Sequence, residues 1–291
     1  MVEINEFADR AAIARLGRRL ALPRLEKGWV WLAGAGPGDP GLVTALGLVA
    51  IAEADVILHD ALVNEALLSL ARPSAQLIYA GKRAGRKSCK QTDISRTLVS
   101  LARKKLRVLR LKGGDPLVFG RGAEEALTLA RARIPFRIVP GVTAGIGGLA
   151  YAGIPLTHRD TNHSVTFITG HGADGKLPKL DWSAVAKSSP ALVIYMGRKY
   201  AGEIAARLIK AGRAPGEPVA LLANASFQSQ TVCETTLGEL GAVAAGQTAP
   251  SIIVIGEIVR LRAGMDWLGA MTGRVLEPPE PLGARTLKDV S

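Results

Sequence analysis

Cysteine, long apolar runs and clustered metal ligands are all scarce in this chain. Its two cysteines, Cys89 and Cys233, lie far apart and match no CxxC spacing, which excludes a disulfide scaffold and a zinc finger and fits a reducing cytoplasm. No apolar run reaches the roughly 18 residues of a membrane span, and the chain begins without the apolar core of a secretory signal. We therefore expect a cytoplasmic protein with no membrane contact and no bound metal.

The composition is that of an ordinary globular protein. Hydrophobic residues make up 48% of the 291 residues and charged residues 21%, which excludes wholesale disorder. A chain of this length can bury a sizeable core, either as one large domain or as two of about 120 residues each.

Positive charge is in excess, with 37 Lys and Arg against 25 Asp and Glu and a formal net charge of +12. Most of it lies in residues 81–112, where twelve cations stand against one acid, Asp93. The cations are Lys82, Arg83, Arg86, Lys87, Lys90, Arg96, Arg103, Lys104, Lys105, Arg107, Arg110 and Lys112. We expect the second half of this stretch to be surface charge on a helix end and a strand. The first half follows a strand pattern in a glycine-containing loop, where an anion-binding role and simple solvation stay equally open.

A basic stretch of this kind raises the question of a nucleic-acid partner. Proteins that bind single strands interleave aromatic side chains with cations so that bases can stack. Residues 81–112 contain no aromatic side chain. The sequence therefore disfavours nucleic acid, and it leaves an anionic surface and an acidic small substrate open as partners.

Hydrophobic periodicity alternates between short strand patterns and longer helical patterns in the first half of the chain. This β-α-β-α order predicts a largely parallel sheet with right-handed crossovers. The predicted strands are 29–33, 55–59, 76–80, 106–111 and 136–139, and the helices are 42–54, 63–71, 92–104 and 123–132.

The pattern changes at residues 140–155, where glycine and alanine dominate, as in a ligand loop that leads into a tightly packed helix. Strands are predicted beyond it at 164–169, 191–196, 217–223, 230–235 and 251–258, with helices at 201–211 and 237–245. Because two of these strands follow one another directly, we expect a mixed sheet. The sequence thus predicts an N-terminal extension (1–28), an α/β domain (29–141), a second α/β domain (142–265) and a tail (266–291).

Two glycine loops follow predicted strands, at the sheet edge where open α/β sheets bind ligands. The first, 34–40, is not a dinucleotide loop, because Asp39 stands where GxGxxG needs glycine and Pro37 removes one N–H that a pyrophosphate needs. These two residues weaken the hypothesis of a nicotinamide-dependent dehydrogenase. The other alternative is that the loop binds no ligand and is a glycine turn that only joins the strand to the helix. The second loop, 111–122, offers two adjacent glycines for close ligand approach and Asp115 as an acceptor for an amine or a ribose hydroxyl.

Six segments keep a recognisable order and spacing. They are GAGPGDPGLVT (34–44), HDALVNE (59–65), GKRAG (81–85), RLKGGDPLVFGRGAEE (110–125), VPGVTAGIGGLAYAGIPLTHRD (139–160) and VTFITGH (165–171). Together they resemble the tetrapyrrole methylase family over residues 28–265 and, within it, the members that methylate uroporphyrinogen III. The alternative is a member that acts on a later precorrin or on another substrate.

The resemblance implies two α/β domains with the active site in the cleft between them, and a homodimer. It implies methyl transfer from S-adenosyl-L-methionine, with S-adenosyl-L-homocysteine as product, to carbons 2 and 7 of uroporphyrinogen III. Precorrin-1 would be the intermediate and precorrin-2 the product, which leads to cobalamin and sirohaem. Some members of the family are fused to dehydrogenase and ferrochelatase modules, and we expect this chain to be the stand-alone form.

The resemblance also implies a set of site residues. Those that match cofactor contacts are Pro37, Gly113, Gly114, Asp115, Val118, Thr143, Ala144, Met196 and Ala225. Asp60 and Lys82 match the pair proposed as proton acceptor and donor, although Asp60 could instead be a cap or turn aspartate and Lys82 a substrate-carboxylate binder. The cations expected to bind the polycarboxylate substrate are Arg83, Arg86, Lys87, Arg121 and Arg159.

Overall fold

The protein divides into two units, Met1–Thr143 and Ala144–Ser291. The structure, a computed structural model, describes residues 6–81, 91–172, 175–277 and 279. Each unit contains its own five-stranded sheet.

The sheet of the first unit is parallel throughout. Its strands are β1 (Val30–Gly34), β2 (Val56–His59), β3 (Gln76–Tyr79), β4 (Val108–Lys112) and β5 (Phe136–Val139). They lie in the order β3-β2-β4-β1-β5. Parallel strands need crossover helices, which are α2 (Ala45–Glu53), α3 (Glu65–Leu68), α4 (Gln91–Arg103) and α5 (Gly122–Arg131); α1 (Glu6–Arg19) precedes them.

Both faces of the central strands β2, β4 and β1 are buried, as expected for a parallel sheet covered by helices. Trp31, Ile57 and Leu109 pack on one face against helix α2 and its neighbours. The other face contacts α4 and α5, where Leu98 and Leu129 are completely buried. The strands read as nearly continuous apolar runs, and β4 interrupts its run with two cations.

The sheet of the second unit is mixed. Its strands are β6 (Val165–Thr169), β7 (Ala191–Tyr195), β8 (Pro218–Ala223), β9 (Thr231–Thr236) and β10 (Ser251–Ile255), in the order β6-β7-β10-β8-β9. Strands β6 and β7 are parallel, whereas β10 and β9 pair antiparallel with their neighbours.

The helices of the second unit are α6 (Ala144–Tyr151), α7 (Trp182–Ser188), α8 (Ala201–Lys210), α9 (Leu240–Ala245), α10 (Arg262–Met265) and α11 (Trp267–Met271). In α8 the buried residues Ala201, Ile204, Ala205 and Leu208 recur at helical spacing, so one face of the helix packs on the sheet.

The predicted fold class of two α/β domains is confirmed, and so are the parallel first sheet and the mixed second sheet. The helix predicted at 63–71 is wrong in extent, because only Glu65–Leu68 is helical. Pro73 disfavours a helical conformation for the residue before it, and Arg72 there bonds to the Ala54 carbonyl and to Asp55 instead.

Two regions that the sequence analysis treated as peripheral contain helices. Residues Glu6–Arg19 form α1, which packs beside α2. In the second unit, the indole N–H of Trp267 donates to the Ala150 carbonyl at 2.9 Å, and Asp266 is buried. Among the described helices, none combines the length and apolar character needed to cross a membrane.

Candidate active site

Three glycine loops meet at the carboxyl edge of the first sheet. They follow β1, β4 and β5, which are adjacent in that sheet. Gly36 and Gly114 form an isolated antiparallel bridge, in which Gly114 N donates to Gly36 O at 2.7 Å and Gly36 N to Gly114 O at 3.3 Å. The two glycine loops predicted from the sequence are therefore joined directly through their main chains.

The contact between these loops leaves no room for side chains. A Cβ on Gly34 would lie 2.4 Å from the Gly114 carbonyl oxygen and 2.5 Å from the Gly141 Cα atom. A Cβ on Gly141 would lie 2.3 Å from the same oxygen. Real Cβ atoms do not approach backbone this closely, so glycine is required at both positions by packing.

Asp115 connects two of the loops. Its Oδ1 accepts from Leu117 N at 2.7 Å within its own loop, and its Oδ2 accepts from Gly141 N at 2.9 Å in the loop after β5. Both oxygens therefore have a backbone donor, and each keeps a lone pair for a further donor. The two backbone donors therefore fix the orientation of the carboxylate.

The other candidates of the first unit surround this contact. Pro37, Gly113 and Val118 are half-buried, and a Cβ on Gly113 would lie 2.9 Å from the Leu62 Cβ atom in the loop after β2. Asp39, which argued against a dinucleotide, caps the short helical turn Pro40–Leu42 by accepting from Gly41 N at 2.6 Å. This cap holds the turn that follows the first glycine loop.

Helix α6 brings the candidates of the second unit together. Gly145 N donates to the Tyr195 hydroxyl at 2.7 Å, next to Ala144. A Cβ on Gly148 would lie 2.6 Å from the Cβ atom of buried Ala225, so α6 packs on the loop after β8.

Two cofactor candidates differ sharply in exposure. Met196 follows β7, has a φ of 56° and is 48% exposed. A core role for Met196 is the alternative to a cofactor contact. Its exposure excludes the core role, because a core side chain would be buried. Thr143, the last residue of the first unit, is buried.

Asp60 follows β2 at the same edge as the glycine loops. Its side chain is 29% exposed and does not cap α3, because Asn64 does so by accepting from Ala66 N. Its Oδ1 accepts from the Arg110 Nη2 atom at 2.5 Å, and its Oδ2 lies 3.6 Å from Lys112 Nζ. Asp60 is thus a partly accessible carboxylate that contacts two cations, Arg110 and Lys112.

Arg110 and Lys112 are buried, at 2% and 3% exposure. Both also contact Glu125, which is fully buried on α5: Arg110 Nε donates to Glu125 Oε1 at 3.1 Å, and Lys112 Nζ lies 3.4 Å from the same oxygen. Burial and the charge of Arg110 lower the pKa of Lys112, and the carboxylates of Asp60 and Glu125 partly offset this. We call Asp60, Arg110, Lys112 and Glu125 the buried network.

The expectation that the second half of the basic stretch is surface charge is wrong for its strand. Arg110 and Lys112 lie inside the first unit, and Arg107 pairs with Asp55 at 3.1 Å. Their acidic partners lie outside residues 81–112, which is why the local count missed them. The helix end is exposed as expected at Arg103 and Lys104.

The network was missed by sequence reasoning, although one signal was available. Glu125 shares the apolar face of α5 with Ala126 and Leu129. A carboxylate on the buried face of a helix requires a buried cation, and β4 supplies two on one face.

Several predicted residues fall outside the described part of the chain, namely Lys82, Arg83, Arg86 and Lys87. Strand β3, which precedes them, is the parallel neighbour of β2, with His59 opposite Tyr79. The closeness of Lys82 and Asp60 therefore stays a prediction.

The two remaining substrate candidates lie at the surface. Arg121 is 57% exposed and makes a bidentate pair with Glu124, at 2.9 and 2.7 Å. Arg159 is exposed. Within the described residues, no group of three or more metal-ligating side chains is found.

Comparison with known proteins assigns the chain to a family. The model of the Tetrapyrrole (Corrin/Porphyrin) Methylases matches residues 30–241. The chain belongs to this family. The match extends over most of both sheets, from β1 to the first residues of α9.

Relatives of known name support this membership. A uroporphyrinogen-III C-methyltransferase from Sinorhizobium sp. is 59% identical over 271 residues, covering 92% of this chain and 96% of that protein. A siroheme synthase from Neisseria meningitidis is 48% identical over 276 residues, covering 95% of this chain. The chain spans about half the length of this synthase, 56%.

Solved methylase structures share the fold. The uroporphyrin-III C-methyl transferase from Thermus thermophilus in complex with S-adenyl homocysteine has a TM-score of 0.71 and 39% identity, covering 79% of this chain and 98% of that one. A cobalt precorrin-4 methyltransferase has a TM-score of 0.72 and 26% identity, covering 82% and 98%.

Proposed function

We propose that this protein is an S-adenosyl-L-methionine-dependent methyltransferase that methylates carbons 2 and 7 of uroporphyrinogen III, through precorrin-1, to give precorrin-2 for cobalamin or sirohaem synthesis. The observation that carries this proposal is the 59% identity to the Sinorhizobium methyltransferase over 96% of that protein's length. The arrangement of the carboxyl edge of the first sheet is consistent with it.

The residues present fit the methyl donor. Gly113 and Gly114 bring the loops after β2, β4 and β1 close together. In the loop after β4, Asp115 is oriented to accept from an amine or hydroxyl. We propose Val118 of the first unit and Met196 of the second as apolar contacts of the donor, as the family resemblance implies. We expect Pro37, Thr143, Ala144 and Ala225 to complete the donor site.

Methyl transfer depends chiefly on positioning. When bound, the donor supplies a methyl group on a sulfonium; the C–S bonding pair returns to sulfur, a pyrrole carbon supplies the pair for the new C–C bond, and the cationic ring then loses a proton. Well-oriented reactants gain up to about 7–11 kcal/mol from this positioning. The preformed contact of the three glycine loops supports such a role.

Asp60 is the proposed proton acceptor. It is the partly exposed member of the buried network, so a substrate can reach its oxygens while Arg110 and Lys112 fix their orientation. Lys82 is the proposed proton donor. General acid–base steps of this kind contribute about 10²–10⁴-fold.

The substrate carboxylates need cations that can leave their own partners. Arg121 meets this condition, because an exposed ion pair such as Arg121–Glu124 is worth only about 0–1 kcal/mol. We propose that Arg121 and Arg159, together with Arg83, Arg86 and Lys87, bind the substrate by charge-assisted hydrogen bonds. Following the family resemblance, we further propose that the protein is a homodimer and acts in the cytoplasm.

The test is methylation by the purified chain under anaerobic conditions. We expect two labelled methyl groups per macrocycle when uroporphyrinogen III and methyl-labelled S-adenosyl-L-methionine are supplied, with S-adenosyl-L-homocysteine formed in the same ratio. The likeness to cobalt precorrin-4 methyltransferase suggests the alternative, a later precorrin as substrate. Labelling of a later precorrin but not of uroporphyrinogen III would overturn the proposal.

A further inference from the structure

We propose that Glu125 is a positioning residue for the proton acceptor and acts through Arg110 and Lys112. This inference rests on the proposed function, in which Asp60 receives the proton. Glu125 itself is fully buried and does not touch the reacting atoms, and its contacts with Arg110 and Lys112 connect it to Asp60.

The geometry of the buried network shows how this coupling works. Arg110 donates through Nε to Glu125 at 3.1 Å and through Nη2 to Asp60 at 2.5 Å, so one rigid guanidinium bridges both carboxylates. Lys112 Nζ repeats the bridge, at 3.4 Å from Glu125 and 3.6 Å from Asp60. Each cation therefore contacts both carboxylates.

The guanidinium of Arg110 cannot rotate without losing hydrogen bonds to the main chain. Its third nitrogen, Nη1, donates to the carbonyls of Leu111 at 3.2 Å and Leu58 at 3.4 Å, in the two neighbouring strands β4 and β2. The planar fork of arginine makes these directions interdependent. The position of the Asp60 carboxylate is thus fixed by the main chain of two strands and by Glu125.

Charge balance gives Glu125 a second effect. With Glu125 ionised, two cations face two carboxylates, and the buried group is neutral. Without that charge, Asp60 alone faces both cations, which hold its carboxylate more strongly in the ionised form. Asp60 would then be a weaker acceptor for the substrate proton.

Other titratable groups lie near Asp60 on the packed elements. His59 Nδ1 lies 3.4 Å from the Asp60 carbonyl, and its ring meets the edge of Tyr79 on β3 at a centroid distance of 5.6 Å. Glu124 on α5 pairs with Arg121, and the hydrogen bond to Arg121 together with the charges of Arg121 and Lys112 lowers the pKa of Glu124. These residues are present in all the variants below. Because Glu124 responds to the charge of Lys112, a shifted rate limb is assigned to the network only where the Asp60 titration shifts with it.

The chain provides a matched control at the other end of β2. Asp55 directly precedes that strand and pairs with Arg107 and Arg72, so it too joins one carboxylate to two arginines. It lies about 16 Å from Asp60 along the strand. Asp55→Asn removes a comparable ion-pair cluster from the same strand without touching the carboxyl edge.

The experiment compares the pH–rate profiles of wild type, Glu125→Gln, Lys112→Met and Asp55→Asn. In Glu125→Gln we expect kcat to fall about tenfold, KM to stay within about threefold, and the acidic limb to move down by about one pH unit. Lys112→Met removes a cation beside Asp60 and should move the acidic limb of the pH–rate profile to higher pH. Asp55→Asn should leave this limb at the wild-type pH. The double variant Glu125→Gln/Lys112→Met, again charge-balanced, should restore it.

The same network can be followed without turnover. With ¹³C-labelled aspartate and Asp60→Asn to assign the signal, the midpoint of the Asp60 carboxyl titration should shift downward in Glu125→Gln and upward in Lys112→Met. If Glu125→Gln alone does not fold, the double variant Glu125→Gln/Lys112→Met is compared with Lys112→Met, and equal midpoints in these two proteins overturn the role of Glu125.

The outcomes separate the two proposals. Unshifted Asp60 titrations and rate limbs in folded variants overturn the role of Glu125, as does an equal shift in Asp55→Asn. Inactivity of the wild type on uroporphyrinogen III overturns the proposed function instead, while the titration of Asp60 still tests the network.

Discussion

Asp115 and Gly141 are joined by a 2.9 Å hydrogen bond from the Gly141 N–H to Oδ2 of the carboxylate. This bond connects the loop after β4 to the loop after β5, with β1 between the two strands. The residue expected to hold the cofactor is thus also the one that ties two cofactor loops together.

Replacement of Asp115 should therefore affect binding and stability together. In Asp115→Ala, two backbone N–H donors lose their acceptor, which costs about 1–3 kcal/mol of unfolding free energy for each buried one. We expect weaker S-adenosyl-L-homocysteine binding by calorimetry and a lower midpoint in urea. Asp115→Asn keeps one carbonyl acceptor and should retain more of both; equal binding in all three proteins would contradict the assignment.

Gly34→Ala should be severely destabilising, because its Cβ would lie 2.4 Å from the Gly114 carbonyl oxygen and 2.5 Å from the Gly141 Cα atom. Relief of this overlap requires backbone movement in the three glycine loops, and loss of about 3 kcal/mol or more is expected, in the range of severe core substitutions. The matched control is Gly216→Ala, where no heavy atom lies within 4 Å of the added Cβ. That variant should unfold within about 1 kcal/mol of wild type.

Asp60→Asn should lower kcat with uroporphyrinogen III by about 10²–10⁴-fold, since the amide cannot accept the proton. Binding of S-adenosyl-L-homocysteine should be preserved, because the glycine loops do not involve this side chain. Single-turnover methylation with labelled donor measures the effect, and equilibrium binding is its control. A turnover rate equal to wild type would falsify the role of Asp60 as proton acceptor.

Arg121→Ala should raise KM for the polycarboxylate substrate, and the effect should weaken as ionic strength rises. Stability should change by less than about 0.5 kcal/mol, because the Arg121–Glu124 pair is exposed on both sides. Arg207→Ala is the control, since Arg207 makes a similar exposed pair with Glu203 on α8. If both variants change KM alike, net charge rather than a substrate contact explains the result.

The acid sensitivity of the first unit should depend on Asp55. Partial burial opposes ionisation, but hydrogen bonds and charge from Arg107, with the charge of Arg72, lower the pKa of Asp55 below its ordinary value of 3.8. The ionised group therefore stabilises the fold at neutral pH, and this contribution is lost as pH falls below about 4.

The Asp55→Asn variant tests this pH dependence. We expect it to be less stable than wild type by about 1–3 kcal/mol at pH 7, with a difference that shrinks below pH 4. Urea unfolding at several pH values measures it. A difference that is constant from pH 7 to pH 3 would show that the effect is not one of ionisation.

Strand positions could be predicted from the sequence because apolar, β-branched runs are local signals. Phe136–Val139 was placed without error, and the other nine strands were placed within a few residues of each end. Short helices were harder, since α3 has only four residues and α7 seven. Over so few residues, helical periodicity is too weak to separate from a turn.

The candidate site was predictable only in part. The glycine loops and Asp60 were found because their motifs are contiguous and follow predicted strands. The buried network was not, because Arg110 and Lys112 on β4 alternate with leucines as solvent-facing residues do, while Glu125 lies 15 residues from Arg110. Only the packing of α5 on the sheet reveals that these charges neutralise one another inside the protein.

Gly34 and Gly141 also bear on how a saturation mutagenesis map of this protein should be interpreted. Each Cβ would overlap with backbone atoms of the neighbouring loops, so nearly every substitution at either position should abolish function as completely as a change at Asp60. Neither glycine has a side chain that can bind or react. Intolerance to substitution along this edge therefore measures the spacing of three main chains, and only variants that fold normally identify residues with a chemical role.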